Sequence, residues 1–190
     1  MRNVIIGSLF ALALGASAHA QDFGITAGLS GSNATAKVSG QSAGSTQFGF
    51  RAGGVASFPL TDSLKFRTGV MYSQRHFVLS DTAGNSATAS FEYIDVPVLA
   101  QYNFNDSFGI FGGIIAAINV NNSVNTSNFV GGGTSSATGT NGFYPLVQVG
   151  VNGTFDNMYG VEAYYEMGMG SIYDGAKNYS VFGANFIYWL

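Results

Sequence analysis

The stretch "FGFRAGGVASFPLTDSLKFRTGVMYSQR", Phe48 to Arg75, decides the fold. Phe48, Phe50, Ala52, Gly54, Ala56 and Phe58 share one parity; Gly49, Arg51, Gly53 and Ser57 share the other, with Gln47 just ahead of them. "PLTDS" (59–63) then interrupts with a proline and polar residues, and alternation resumes with Lys65 and Arg67 on one side. A period of two on either side of a short polar break is a β-hairpin. One of its faces is uncharged and mostly apolar, and the other carries Arg51, Lys65 and Arg67.

The composition says where such a hairpin lives. Charged residues are 9% of the 190-residue chain and aromatics 14%, against about 25% charged in an ordinary soluble domain. So few charges do not clothe a water-facing surface. Yet after residue 20 no apolar run approaches the length of a spanning helix. The longest, "FGIFGGIIAAINV" (108–120), is broken by glycines and ends in Asn119 and Val120. A chain that is apolar without spanning helices satisfies its backbone in lipid by closing its strands into a barrel. The formal net charge of −3 argues against a nucleic-acid surface, which is basic. With no cysteine, disulfides and thiolate metal sites are excluded.

The same alternation recurs along the chain and predicts eight strands, about 23–36, 46–58, 64–79, 88–104, 108–122, 142–155, 159–173 and 178–190. The outward parity of the fourth includes Ile94, Val96, Val98 and Ala100; of the sixth, Val147, Val149 and Val151; of the seventh, Tyr159, Val161, Ala163 and Tyr165. Connections at 59–63, 105–107 and 156–158 are tight. Those at 37–45, 80–87 and 123–141 are longer and rich in Gly, Ser, Thr, Asn and Ala, and 174–177 is a short one on their side. Tight turns at one end and long loops at the other are the habit of outer-membrane barrels, with the turns facing the periplasm.

Charge placement sharpens the expectation. An Arg or Lys on the lipid face at mid-membrane costs about 2–4 kcal/mol. Near the periplasmic turns Arg51, Lys65, Arg67, Glu162 and Glu166 all keep the inward parity, and Asp95 does so slightly further out. His76 and Glu92 take the lipid parity, but about 14 residues from their turns, which at about 3.3 Å per residue and a tilt near 45° lies beyond the hydrocarbon.

The ends of the chain carry their own signals. "MRNVIIGSLFALALGASAHA" has Arg2, an apolar run from Val4 to Leu14 and a small-residue end, the layout of a secretory leader cut after Ala20. The barrel domain is then 21–190. The closing "VFGANFIYWL" (181–190) sets Phe186, Tyr188 and Leu190 on the lipid parity. Gly183, Phe186 and Tyr188 resemble the C-terminal signal by which outer-membrane barrels are recognised for assembly, with Val181 in place of its polar first position. Phe48–Arg75, "YIDVPVLAQYNF" and "FGIFGG" together resemble the small outer-membrane β-barrel domains of the PorT-like group. In that group an acidic residue stands two before a proline in strand four, here Asp95 and Pro97, and a Tyr-Ser-Gln-(Arg/Lys) segment ends strand three, here Tyr72 to Arg75. The resemblance spans roughly 46–115 and implies an integral outer-membrane barrel without implying an activity.

An eight-stranded barrel is just wide enough for its own side chains. Arg51, Arg67 and Lys65 are therefore expected to form one buried ionic network with Asp95, Glu162 and Glu166. Gly168 and Gly170 of "EMGMGS" (166–171) are expected to leave room for Arg or Tyr side chains from across the barrel. "GGGTSS" (131–136) lacks the lysine of a phosphate-binding loop. No metal-ligand spacing and no cofactor motif is found. His76, near Ser80, Asp81 and Glu92, offers a lipid A deacylase-like alternative without a diagnostic partner motif. A soluble lipocalin-like lipid carrier is a further alternative, for which surface charge is sparse. The expected role is non-enzymatic, structural or surface-interacting. Its partners are outer-membrane lipid, the barrel assembly machinery and a surface ligand or protein at the uncharged 123–141 loop.

Overall fold

The computed structural model describes residues 22–38, 41–43, 45–80, 86–127, 134–135, 142–156, 158–170 and 176–190. The expected leader 1–20 lies outside them. Eight long strands run β1 Asp22–Val38, β2 Ser45–Pro59, β3 Leu64–Ser80, β4 Ser86–Asn103, β5 Phe108–Ser127, β6 Phe143–Phe155, β7 Tyr159–Gly168 and β8 Ala176–Trp189. Each pairs antiparallel with the next, and β8 returns to β1, from Gly24 opposite Trp189 to Ala36 opposite Ala176. The sheet is a closed up-and-down barrel. Gln41–Ala43 and Thr134–Ser135 add short pairings to the far ends of β1 and β5.

The tight turns close through local hydrogen bonds. Thr61 Oγ1 accepts from Leu64 N at 3.0 Å, and Asn105 Oδ1 accepts from Ser107 N at 2.9 Å and Phe108 N at 2.8 Å. Asp156 adopts φ 52°, the left-handed geometry that short polar residues tolerate. The opposite ends depart from the expected boundaries. β5 runs to Ser127 rather than 122, paired with β4 up to Ser86, so part of the expected 123–141 loop is strand. β7 ends at Gly168 rather than 173, opposite Leu146 of β6. Polar strands above the hydrocarbon pair through backbone alone and carry no apolar alternation to announce them.

The two faces separate cleanly. Along β7 Tyr159, Val161, Ala163, Tyr165 and Met167 are exposed while Gly160, Glu162, Tyr164 and Glu166 are buried. Leu29, Phe48, Val98, Ile114, Val149 and Phe182, from other strands, join the exposed apolar belt. A continuous apolar belt of this extent is a surface for lipid. Its periplasmic rim carries aromatic clusters: Tyr159 lies 6.0 Å from Phe186 and 5.8 Å from Tyr188, and Phe58 lies 6.0 Å from Phe66.

Three irregularities interrupt the ladders, one of them between Asn33 and Thr35 where β1 meets β8. The β2–β3 register shifts between Thr46 and Arg51. There Ser32 of β1 reaches past β2: its hydroxyl donates to His76 O at 2.7 Å and accepts from His76 N at 3.1 Å. That satisfies backbone groups the ladder misses. Gly49 makes the approach possible, since a Cβ there would run into the Gln74 carbonyl. The β4–β5 register shifts between Glu92 and Tyr93, where Asn119 Nδ2 donates to Glu92 O and Asn121 O at 3.2 and 3.1 Å.

Gly49→Val is expected to lose about 1–3 kcal/mol of stability by overpacking, read as a lower urea midpoint of the refolded barrel. Gly54→Ala is the control: the nearest atom to its Cβ is 4.0 Å away, and its midpoint should not move.

Candidate functional site

The interior of the barrel is its most elaborated region. At mid-height four ionised side chains meet, brought inward by the alternation of their strands: Arg51 from β2, Arg75 from β3, Asp95 from β4 and Glu166 from β7. Arg75 forks onto Asp95, Nη1 to Oδ1 at 3.0 Å and Nη2 to Oδ2 at 2.7 Å. Arg51 Nη2 lies 3.2 Å from Asp95 Oδ2 and 2.5 Å from Glu166 Oε1. Ser73 donates to Asp95 Oδ2 at 2.6 Å and accepts from Arg51 Nε at 3.1 Å, and Gln148 donates to Glu166 Oε1 at 3.0 Å. Two guanidiniums face two carboxylates, so the cluster is formally neutral. Each guanidinium also lies over a ring, Arg51 on Tyr164 and Arg75 on Tyr93, both at 4.7 Å. All four ionised groups are buried, Asp95 and Glu166 completely.

Nearer the periplasm Arg67 Nη2 lies 2.5 Å from Glu162 Oε1, and its Nη1 donates to Gln101 Oε1 at 3.0 Å. At the rim, half-exposed, Lys65 Nζ is 3.2 Å from Asp22 Oδ2. The single network expected from sequence is thus three separate groups. Arg51, Asp95 and Glu166 come together, Arg67 pairs with Glu162 alone, and Lys65 joins neither. Arg75 is the member the sequence reading left out. It shares the parity of Arg67, which was the available signal.

Beyond the upper cluster the lumen is closed by buried rings. Phe91, Tyr93, Tyr144 and Tyr179 are among its largest fully buried side chains. Tyr144 and Tyr179 meet edge-on at 6.0 Å. Tyr144 occupies the space above Gly168 and donates to Gly170 O at 3.0 Å. The room at Gly168 is therefore taken from the adjacent strand rather than from across the barrel, and nothing lies within 4 Å of a Cβ at Gly170. At the periplasmic end a polar cavity of about 150 Å³ remains, walled by Ser57, Lys65, Arg67, Asn152, Glu162 and Trp189 among others.

Among the described residues every carboxylate in the lumen is engaged by a guanidinium, which leaves no free pair of them there to act as acid and base. Outside the barrel, His76 Nδ1 is 2.9 Å from Ser90 Oγ on the neighbouring strand, and Glu92 lies one step along the same face. Ser80 sits at the end of β3 opposite Ser86, and Asp81 lies outside the described residues. Gly183 pairs with Ser30 and Tyr164, under the Tyr164 ring, while Phe186 and Tyr188 point outward at the rim.

The family model for the outer membrane protein beta-barrel domain matches residues 16–174. No curated protein matches the sequence. Among solved structures the chain is similar to the attachment invasion locus protein Ail of Yersinia pestis, in complex with the heparin analogue sucrose octasulfate. Identity is 13% over 89% of this chain and 98% of that one, with a TM-score of 0.54. It is likewise similar to Neisserial surface protein A, at 14% identity over 87% and 96% of the two chains, with a TM-score of 0.55. Similarity at this identity speaks for the fold alone.

Asp95→Ala leaves two guanidiniums buried beside one carboxylate and is expected to lower stability by about 3–5 kcal/mol. Lys65→Ala, at a half-exposed pair, is expected to stay within about 1 kcal/mol. Equilibrium unfolding followed by the heat-dependent gel migration of the refolded barrel separates the two.

Proposed function

The chain belongs to the outer membrane protein β-barrel domain family and lies in the cell outer membrane; from that premise we propose that it is a non-enzymatic barrel with a structural or surface-interacting role. The observation that carries this is the filled lumen. Ion pairs and buried rings occupy it from Arg67 to Tyr179, so the polar surface free to meet other molecules is at the outward hairpins. β5 runs beyond its last β6 partner, Ile118 opposite Phe143, and presents Asn119, Asn121 and Asn125 with no charge. Ail, in complex with a heparin analogue, is a precedent for a ligand on so small a barrel. A lipocalin-like carrier needs an apolar interior cavity, and the interior described above is ionic and packed. The proposal includes a leader, 1–20, removed to leave a 21–190 barrel, and assembly through Gly183, Phe186 and Tyr188 by the barrel machinery.

The test is a panel of neutral and sulfated glycans presented to the purified barrel in micelles, alongside a variant with 128–141 replaced by a short Gly-Ser linker. The parent is expected to bind at least one class and the variant to lose it; identical profiles for the two would remove the hairpin from the proposal.

One rival has a specific observation behind it, the His76–Ser90 contact on the outer face. A lipid hydrolase there predicts that His76→Ala changes the acyl composition of the membrane's lipid A. The expected outcome is an unchanged mass spectrum.

A further inference from the structure

Among the described residues the lumen is closed on its outward side and open on the other. Phe91, Tyr93, Tyr144 and Tyr179 pack across it toward the outside, and the Arg51 cluster fills it at mid-height. Below Arg67 it widens into the polar cavity of about 150 Å³ at the periplasmic mouth. A cavity of about that volume has room for one six-membered ring. A solute of that size enters from the periplasm and stops at the Arg67–Glu162 pair.

Two sides of that cavity differ in chemistry. On one, Trp189 of β8 turns inward and is half-buried. Its indole reaches toward both neighbouring strands. Cε3 is 2.9 Å from where a Cβ at Gly24 of β1 would sit, and Nε1 is 3.3 Å from the corresponding point at Gly160 of β7. With no side chain at either glycine, the ring lies along the barrel wall and turns a face to the cavity. On the other side Asn103 of β4 and Asn152 of β6 both stand opposite Gly109 of β5, one on each neighbouring strand. Their Oδ1 atoms come to 2.6 and 2.9 Å from where a Cβ at Gly109 would be, so two amides converge there. Gln101 joins them, donating to Asn103 Oδ1 at 2.6 Å.

The charges in the wall are already matched. Arg67 pairs with Glu162, and Lys65 with Asp22. Asp106, on the exposed turn between β4 and β5, is the one remaining charge among the described residues of the wall. An ionic ligand has to unseat one of these pairs to be neutralised, and a charge brought in without a partner is costly. A neutral polyol does not. Each of its hydroxyls both donates and accepts, which suits amide groups that do the same. A pyranose also has a face of C–H bonds, an apolar surface that lies against an indole. We infer that the periplasmic mouth of the lumen is a binding site for a single neutral sugar ring, stacked on Trp189 and hydrogen-bonded by Asn103 and Asn152. The site is separate from the outward hairpins and takes its ligand from the opposite side of the membrane.

Trp189 is the one tryptophan of the chain, so its emission reports on the site. The full barrel is refolded in amine-oxide micelles, which carry no sugar headgroup, and titrated with glucose and with N-acetylglucosamine. At least one is expected to give a saturable emission change, matched by heat in isothermal calorimetry. The disaccharide of N-acetylglucosamine is expected to bind no more tightly than the single sugar, because the cavity takes one ring. Glucuronate and glucosamine, the charged counterparts, are expected to bind at least about tenfold more weakly. Asn103→Ala and Asn152→Ala, each checked for an intact heat shift, are expected to weaken binding about fivefold, and Trp189→Leu to abolish the heat. Replacing 128–141 by the Gly-Ser linker is expected to leave the titration unchanged, which separates this site from one at the hairpins. No saturable change with either neutral sugar overturns the inference. So does equal or tighter binding of a charged counterpart or of the disaccharide, binding lost with the hairpin, or binding that survives Trp189→Leu and both asparagine replacements.

Discussion

Hydrocarbon solvates neither a peptide group nor an ion, and the rest of this structure depends on that constraint. The first half forces closure: β8 must meet β1, because an open edge in lipid leaves a row of unpaired amides and carbonyls. The second half forces charges inward, into a lumen that at the height of Arg51 and Asp95 is filled by its own side chains. Once inside they have to neutralise one another. A buried ion pair adds little net stability over an apolar filling, but either partner alone is costly. The matched charges in the upper cluster and the one-to-one pairing of Arg67 with Glu162 follow from that asymmetry.

Because hydrocarbon acts residue by residue, much of the architecture was legible in the sequence. Period-two alternation located the strands, and proline and polar runs located the tight turns. The inward parity of Arg51, Asp95, Glu162 and Glu166 named most of the interior ionic groups. Their grouping was less legible, since it depends on how staggered strands line up in height. Arg75 lies further along β3 than Arg51 does along β2, yet both forks reach Asp95. The register shifts at Thr46/Arg51 and Glu92/Tyr93 are invisible to a parity count, which slips by one there without notice. Above the hydrocarbon the constraint lapses, and with it the pattern; β5 from 123 to Ser127 read as loop for that reason.

Volume is the second consequence of a small closed circumference. Eight strands leave little interior, and the chain alternates large and absent side chains to fit it. The Tyr164 ring covers Gly183 and the Tyr144 ring covers Gly168, in each case from the adjacent strand. Gly183 thus has a packing reason independent of any resemblance to an assembly signal. Each tyrosine that occupies a glycine's space also supplies a flat surface: Tyr164 carries Arg51. Ring, glycine and guanidinium form one packing unit, in which enlarging the glycine displaces the ring and unseats the cation it supports.

The ionic groups differ in burial in a graded way. Lys65 and Asp22 are 27% and 39% exposed at the rim, Arg67 and Glu162 are 5% and 6%, and the upper cluster lies at 2% or less. Screening and solvent competition fall along the same series, so the strength with which each pair is held rises from the periplasm inward. Beyond the upper cluster the interior contains rings rather than ions, and packing replaces electrostatics as the restraint. Any rearrangement of the lumen that leaves the strands in place must therefore begin at the periplasmic end. There water already reaches the Lys65 and Asp22 side chains and shares in solvating them.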